Sequence, residues 1–204
     1  NLAFLNFERY QSWKKPTKPS GDARQAVFAF QGDVYQGLEA ATMKKGDLNF
    51  AQKHLRILSG LYGVLKPLDL MAPYRLEMGT KLATKKHDDL YGFWKDTLTA
   101  DINAQLAEQK DSTLINLASN EYFNALNKKD IVGKIVSPVF KDFKNGDYKI
   151  ISFFAKKARG MMARYIIDNK VTNPDGLADF NYGGYKFNAK LSQDHAPTFT
   201  RKTS

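Results

Sequence analysis

The sequence predicts a mixed α and β fold in one domain, with a partly antiparallel central sheet surrounded by helices. Short apolar runs typical of strands alternate with amphipathic helical patterns in the earlier part of the chain. Further along, an Asn-Gly pair at residues 145–146 separates two strand-like runs, which indicates a β-hairpin. No repeat, low-complexity tract or linker divides the 204 residues, and this length suffices for one substantial core.

The first half of the chain is predicted to be mainly helical, with one strand. Aspartates before apolar periodic runs are interpreted as helix caps, and prolines as breaks. The predicted elements are a short helix ending at Trp13, a basic loop over 14–21, a buried strand over 25–30, a helix over 34–41 capped by Asp33, a helix reaching residue 58 capped by Asp47, and a packed irregular segment over 61–78.

The second half begins with the clearest helical pattern, in which apolar residues recur at intervals of three and four. It continues with strand-like runs, a capping serine and a second helix. The predicted elements are a helix over 90–108, a strand over 113–118, a helix from residue 120 capped by Ser119, a hairpin of strands 134–143 and 147–154, and a helix that starts around Gly160 and runs to Asp168.

Composition excludes several classes of protein. The chain has no cysteine, which excludes disulfides, thiol catalysis and thiolate-bound metals within this segment. Its 43% hydrophobic residues are ordinary for a globular protein, and no apolar run approaches the roughly 20 residues of a membrane-spanning helix. The first residues have no signal-peptide order, and they begin without Met, as if an upstream part were missing. We therefore expect a cytoplasmic protein without a membrane partner.

Charge is the most informative total. The formal net charge is +10 and the isoelectric point is about 9.6, which exceeds the value of about 9 at which a polyanion partner becomes a serious hypothesis. Half of this net charge lies between residues 141 and 170, where three acidic residues accompany eight basic ones: Lys141, Lys144, Lys149, Lys156, Lys157, Arg159, Arg164 and Lys170. Phosphate contact is one use of such a cluster and a solvated face is the other.

Within this run, Lys156, Lys157 and Arg159 are predicted to lie where a strand passes into a helix. Backbone N–H groups and the helix dipole favour anions at that position. Arg164 is expected near the beginning of the same helix.

A second candidate for DNA contact is the run over residues 58–65. A helix followed by an apolar-Gly-apolar turn suggests a helix-hairpin-helix module, in which glycines bring backbone amides close to phosphates. The match is imperfect, because Gly60 and Gly63 are three residues apart and Pro67 falls where the second helix would run. A helix C-cap with a tightly packed loop explains Gly60 without any ligand.

Metal and nucleophile chemistry have little support. His54, His87 and His195 are far apart and form no helical ligand pair. Neither a nucleophile elbow nor a phosphate loop is present. Charged residues among apolar ones could still line a cleft for a small anionic substrate: Asp69, Arg75, Glu77 and Glu121. Arg75 and Glu77 are more simply interpreted as a surface ion pair at alternate positions of a strand.

Five blocks resemble the YaaA family of peroxide-stress proteins, in order and over nearly the whole chain. They are residues 23–38 (ARQAVFAFQGDVYQGL), 50–71 (FAQKHLRILSGLYGVLKPLDLM), 73–79 (PYRLEMG), 116–123 (NLASNEYF) and 150–164 (IISFFAKKARGMMAR). Family members begin with a strand carrying a Ser-Pro-Ala-Lys-Thr-like segment, which this chain lacks. A missing strand would leave a broken sheet edge or an incomplete cleft.

The resemblance implies a cytosolic bacterial protein that limits peroxide damage by lowering unincorporated iron. It also implies one α/β domain with a positively charged cleft, a helix-hairpin-helix-like element and binding to double-stranded DNA. The residues carried over as DNA contacts are Lys156, Lys157, Arg159, Arg164, Arg56, Gly60, Tyr62, Gly63, Lys66 and Arg75.

Three hypotheses follow, in order of preference. The first is a monomeric protein that binds double-stranded DNA mainly through phosphates, with no cofactor and no metal. The second is an enzyme acting on a small anionic or nucleotide-like substrate in the same cleft, which a deep pocket combining Arg75, Glu77, Glu121 and the basic cluster would favour. The third is direct iron sequestration.

Overall fold

The structure, a computed structural model, describes residues 8, 10–11, 13–19 and 21–202. Its α-helices are α1 Ala26–Ala29, α2 Asp33–Leu38, α3 Lys45–His54, α4 Leu90–Ala107, α5 Asn120–Phe123 and α6 Ser152–Asp168. Its strands are β1 Arg24–Gln25, β2 Ile57–Ser59, β3 Gly63–Leu65, β4 Leu70–Met71, β5 Thr113–Ile115, β6 Lys134–Val136, β7 Val139–Lys144, β8 Asp147–Lys149, β9 Lys186–Phe187 and β10 Thr198–Arg201. Short 3-10 turns lie at Ala40–Thr42, Lys128–Asp130, Pro174–Asp179, Tyr182–Gly184 and Ala189–Leu191. The predicted helix before Trp13 falls largely outside the described residues.

The mixed α and β class is confirmed, but the strands form four small sheets instead of one central sheet. Three sheets have two strands each, β1–β4, β2–β3 and β5–β6. The fourth has the order β8-β7-β10-β9, with β10 parallel to β7 and the other pairs antiparallel. The expectation of an antiparallel contribution is thus correct, and the expectation of a single sheet is wrong for the described chain.

The four-stranded sheet buries one of its faces against α6. Phe140 on β7 and Phe199 on β10 are paired in register and almost fully buried. They pack with Ala158, Met162 and Tyr165 of α6 in one apolar cluster. Burial of aromatic rings and aliphatic side chains at this interface supplies the main stabilisation of the region.

Helix α6 is also held against α2 by two glycines. A Cβ atom on Gly160 would lie 1.8 Å from the carbonyl oxygen of Val34, and one on Gly37 would lie 2.1 Å from that of Lys157. Both positions therefore require glycine, because the two backbones approach too closely for any side chain. This contact fixes the direction of α6 relative to the first part of the chain.

Several sequence predictions are confirmed. The helix predicted over 90–108 is α4, and its N-cap is Asp89, whose carboxylate accepts a hydrogen bond from the Gly92 N–H at 2.8 Å. Ser119 caps α5 through the Tyr122 N–H. The hairpin turn is confirmed at Asn145 and Gly146, which have φ angles of 53° and 82°, as a type I′ turn requires. Its strands are shorter than predicted, because residues 134–136 pair with β5 and the second strand ends at Lys149.

Other predictions are wrong in their local conformation. The apolar run over 25–30 is mostly the helical turn α1, because a short apolar run does not distinguish a strand from a buried helix. Asp33 lies inside the first turn of α2, which is preceded by Gly32. Asp47 does cap α3 as predicted, but from the third helical residue, where its carboxylate accepts from the Lys44 N–H at 3.1 Å in a capping box.

Two helix boundaries also differ. Helix α3 ends at His54 instead of continuing to residue 58, since Ile57–Ser59 forms a strand paired with β3. Helix α6 starts at Ser152, eight residues before the predicted start near Gly160. That second difference changes the positions of Lys156, Lys157, Arg159 and Arg164 within their helix.

Candidate nucleic-acid interface

Residues 156–159 of the basic run lie in the N-terminal half of α6. Because α6 begins at Ser152, Lys156, Lys157 and Arg159 lie in its second turn and not at a strand-to-helix junction as predicted. The unpaired N–H groups of the helix start do not therefore act at these side chains. Lys156 and Lys157 are exposed, and the sequence from 152 to 164 contains no acidic residue.

Arg159 is the least compensated cation of this helix. It is half-buried, and its Nε is buried without a hydrogen-bond partner in the part of the chain that the structure describes. Burial lowers the pKa of its guanidinium, and no neighbouring carboxylate opposes this shift. A half-buried guanidinium without an anion is unfavourable, so an incoming phosphate or carboxylate would gain from this position.

Arg164, in contrast, is fully engaged within the protein. Its Nε donates to both carboxylate oxygens of Asp168, at 2.7 and 2.9 Å. Its Nη1 donates to the carbonyl oxygen of Glu39 and to the Thr42 Oγ1, beyond the C-terminal end of α2. This residue joins α6 to α2, and it lies near the end of its helix instead of the beginning.

The run over 58–65 is a β-hairpin and not the expected helix-hairpin-helix element. Strands β2 and β3 pair antiparallel, with Ser59 opposite Gly63. Only α3 precedes the turn, and no second helix follows it before residue 90. The imperfect spacing of the glycines and Pro67 were the signals against two helices.

Both glycines of this hairpin have a packing reason. A Cβ on Gly60 would lie 2.3 Å from the carbonyl oxygen of Leu76, and Gly63 has a φ of 73° against the ring of Trp94. The Trp94 Nε1–H donates to the Gly60 carbonyl oxygen at 2.9 Å. The Tyr62 hydroxyl accepts a hydrogen bond from the Ala72 N–H at 2.9 Å. These groups hold the hairpin against α4 and the segment after β4.

The remaining basic candidates differ in how far they are occupied. Arg56 donates from Nη1 to the carbonyl oxygens of Gln52 and Leu55, and burial lowers its pKa. Lys66 is exposed. Arg75 forms an ion pair with Glu77 at 3.0 Å, as the surface-pair interpretation predicted.

A cleft of about 480 Å³ lies beside Arg75. Aromatic side chains form much of its wall, among them Phe28, Phe30, Tyr74 and Tyr122, and its charged lining residues are Asp22, Arg24, Arg75 and Glu77. The Tyr74 hydroxyl lies 2.7 Å from the Ser59 Oγ, and burial raises the pKa of Tyr74 to about 12. With two arginines and two carboxylates, this cleft is balanced in formal charge.

A second cleft, of about 630 Å³, shares Asp22 and Pro73 with the first. Its charged lining residues are Lys14, Lys15, Lys18 and Asp22. The two clefts together form a groove with five cations and two carboxylates. The lysines at 14, 15 and 18 are missing from the predicted contacts, although three lysines within five residues were a visible signal.

The structure thus divides the predicted contact residues into two groups. One group lies around the hairpin and the 72–77 segment and consists of Arg56, Gly60, Tyr62, Gly63, Lys66 and Arg75. The other lies on α6 and consists of Lys156, Lys157, Arg159 and Arg164. Across the described ranges, no hydrogen bond, ion pair or ring contact joins the two groups. Glu121, a candidate for the anionic pocket, instead accepts from the Gly79 N–H at 3.0 Å.

Two further properties concern membranes and metals. None of the helices in the described chain is long and apolar enough to cross a membrane. Among the described residues, no three His, Asp or Glu side chains gather into a potential metal site.

Comparison with known proteins gives a consistent result. The chain is 54% identical over 201 residues to a UPF0246 protein of Teredinibacter turnerae, and 57% identical over 201 residues to one of Shewanella woodyi. Each match covers 98% of this chain and 78% of the relative. A UPF0246 protein of Shewanella sp. strain MR-4 is 55% identical over 202 residues, with 99% and 78% covered. The family model described as peroxide stress protein YaaA matches residues 1–191, and the chain therefore belongs to that family.

Proposed function

We propose that this protein binds double-stranded DNA, mainly through phosphates, in the bacterial cytoplasm during peroxide stress. The observation that carries the proposal is the N-terminal half of α6, where Lys156, Lys157 and Arg159 have no carboxylate on their own helix face before Asp168. The half-buried Arg159 adds a cation that gains most from an external anion.

Such contacts carry little sequence information. Lysine and arginine neutralise phosphates at any sequence and release condensed counterions, so affinity falls steeply with salt. The groove that contains Lys14, Lys15 and Lys18 supports the same preference for polyanions. We therefore expect binding that is largely indifferent to base sequence.

The alternative is an enzyme acting on a small anionic or nucleotide-like substrate. It depends on a pocket that combines Arg75, Glu77, Glu121 and the basic cluster. The described cleft contains Arg75 and Glu77 but neither Glu121 nor a residue of α6. Balanced charge in this cleft favours an uncharged or zwitterionic ligand over an anion, so DNA binding is the preferred function.

The decisive experiment is a fluorescence-anisotropy titration of a labelled duplex over a salt series, with the full-length protein. The test variant is Lys156→Ala/Lys157→Ala/Arg159→Ala. A matched control, Lys81→Ala/Lys85→Ala/Lys86→Ala, removes the same charge from exposed residues before α4. Circular dichroism verifies that both variants are folded.

We expect the test variant to lose about two to three units of the slope of log K against log salt, and the control to lose much less. Equal losses in the two variants would show that only net charge matters, and the α6 site would be wrong. A folded wild-type protein that binds no duplex at low salt would reject the function itself.

From the family resemblance we also propose that the protein lowers unincorporated iron in the cell, and this second role is tested separately. Electron paramagnetic resonance of whole cells measures that iron in a deletion strain complemented with either form. If the α6 triple variant fails to lower the iron signal, DNA contact is required for the iron effect. If it lowers the signal normally, the two activities are independent.

A further inference from the structure

The four-stranded sheet has two unlike faces. Residues opposite one another in register share a face, and successive residues alternate. Phe140, Asp142, Phe199 and Arg201 are on the face that α6 covers. The other face is formed by the alternate residues of the same strands.

This second face, here called the open face, consists of Lys141, Phe143, Tyr148, Lys186, Thr200 and Lys202. Register places Lys141, Thr200 and Lys186 in one row across β7, β10 and β9. Tyr148 and Phe143 are opposite each other in the next row. Lys202 follows the last paired residue of β10, and its Nζ lies 5.1 Å from the centroid of the Phe143 ring.

The open face is accessible and carries one sign of charge. Phe143 is 37% exposed, and Lys186 and Lys202 are exposed, whereas Lys141, Tyr148 and Thr200 are half-buried. The end of this face near Thr198 is covered, where the Thr198 hydroxyl donates to the carbonyl oxygen of Leu191, and the Asn188 side-chain amide reaches the Thr200 hydroxyl at 3.4 Å. No strand residue on this face is acidic, and its three lysines form no ion pair with any described carboxylate.

The aromatic pair is the second component of the surface. The rings of Phe143 and Tyr148 lie 5.3 Å apart in an edge-to-face arrangement. Both are on a hairpin whose opposite face carries Lys149 and Asp142. The two aromatic rings share this face with Lys141 on β7 itself, Lys202 just after the neighbouring strand β10, and Lys186 one strand further, on β9. With adjacent strands about 5 Å apart, such a face can stack bases on its rings and neutralise the adjoining phosphates with its lysines.

We propose that the open face binds single-stranded DNA. A single strand exposes the faces of its bases, which can stack on Phe143 and Tyr148 while Lys141, Lys186 and Lys202 contact phosphates. A duplex has its bases stacked inside, so it would engage the lysines and leave the rings without partners. A second copy of this basic chain would bring lysines against lysines, and charge complementarity therefore favours a polyanion. The face lies across the sheet from α6 and does not depend on duplex binding there.

The test uses the full-length protein and a fluorescein-labelled oligothymidylate, which cannot pair with itself. The test variant is Phe143→Ala/Lys202→Ala. The matched control is Phe153→Ala/Lys149→Ala, which removes an exposed ring and an exposed lysine outside the open face: Phe153 is 53% exposed on α6, and Lys149 is on the opposite face of β8. A charge-only variant, Lys186→Ala/Lys202→Ala, leaves the ring pair of the hairpin intact.

We expect the test variant to weaken oligothymidylate binding about tenfold or more, because it removes a stacking ring and a phosphate contact. The charge-only variant should lose about 1.4 units of salt slope, at about 0.7 for each single-strand contact. The control and the α6 triple variant should bind the oligothymidylate nearly as the wild type does. Failure of duplex binding at α6 would leave this result standing.

Four outcomes would overturn the proposal. One is a wild-type protein that does not bind the oligothymidylate, and another is a control variant that loses as much affinity as the test variant. A third is tighter binding of an oligouridylate than of the oligothymidylate, which would assign the face to RNA. The fourth is a change from dimer to monomer in Phe143→Ala/Lys202→Ala by analytical ultracentrifugation, which would assign the face to self-association.

Discussion

The two halves of α6 carry similar residues and use them in opposite ways. In the C-terminal half, Arg164 and Asp168 satisfy each other, and the Tyr182 hydroxyl donates to the Asp168 carboxylate at 3.0 Å. In the N-terminal half, Lys156 and Lys157 point to solvent and the Nε of Arg159 is buried without a described partner. The difference shows that a basic residue is available to bind an external anion only where the fold does not already pair it with a carboxylate.

The largest effect is expected at Gly160, which lies between the two halves of α6 and contacts α2. Gly160→Ala would place a methyl group 1.8 Å from the Val34 carbonyl oxygen, and we expect it to lower the free energy of unfolding by about 3 kcal/mol through overpacking. Chemical denaturation measures the change. Gly46→Ala is the control, because nothing lies within 4 Å of that site in α3. It should be neutral or stabilising by up to about 1 kcal/mol. Equal effects at the two sites would show that α2 and α6 can separate freely.

Arg164→Ala tests the satisfied half. It removes a partly buried ion pair and the bonds to Glu39 and Thr42, so the free energy of unfolding should fall by about 2 kcal/mol. Duplex affinity of the folded protein should change little. Arg164→Lys keeps the charge but not the bidentate geometry, and should recover only part of the stability. A variant of full stability with reduced duplex affinity would place Arg164 at the interface.

Arg159→Met tests the unsatisfied half. Replacing a half-buried, unpaired guanidinium by an apolar side chain of similar length should change the free energy of unfolding by less than about 1 kcal/mol, in either direction. The slope of log K for duplex binding against log salt should fall by about 0.9. Thermal denaturation and anisotropy measure the two effects. A loss of stability beyond that limit would reveal an internal anion for Arg159.

The smallest effect is a pH dependence of stability that arises from Tyr182, the partner of Asp168 in the C-terminal half of α6. Burial and the hydrogen bond to Asp168 raise the pKa of Tyr182 above its usual value of 10.0. The neutral phenol therefore stabilises the folded state below pH 10, and this contribution is lost as the pH rises through the raised pKa. Tyr182→Phe should lose about 0.5 kcal/mol at neutral pH and show a shallower alkaline decline. An unchanged alkaline slope would contradict this assignment, and Tyr148→Phe on the open face serves as the control.

Sequence patterns predicted the elements that local chemistry determines. The long helix α4 was found from its period, and the turn at Asn145 and Gly146 from the need for positive φ. The start of α6 was missed, because the apolar run before it fits a strand as well as a helix. The pairing of β2 with β3 ended α3 early, and that tertiary contact has no local signal.

For the candidate site, the sequence predicted which basic residues to consider. It did not predict which of them form ion pairs and hydrogen bonds within the protein. Lys156, Lys157, Arg159 and Arg164 were identified together from charge. Only the fold shows that Arg164 is engaged by residues more than 100 positions away. The open face could not be predicted from the sequence, because it depends on β10, which pairs in parallel with a strand some 59 residues earlier.

That pairing has a consequence for biosynthesis. β10 is the link between β7 and β9, and Arg201 supplies the counter-charge for the buried Asp142 of β7. On the ribosome, β7 and β8 emerge early as a hairpin whose aspartate lacks its partner. The sheet cannot form completely until the chain up to Arg201 has left the exit tunnel. Until then the hairpin and α6 expose apolar surface that β10 will later cover, and chaperones can bind such surface.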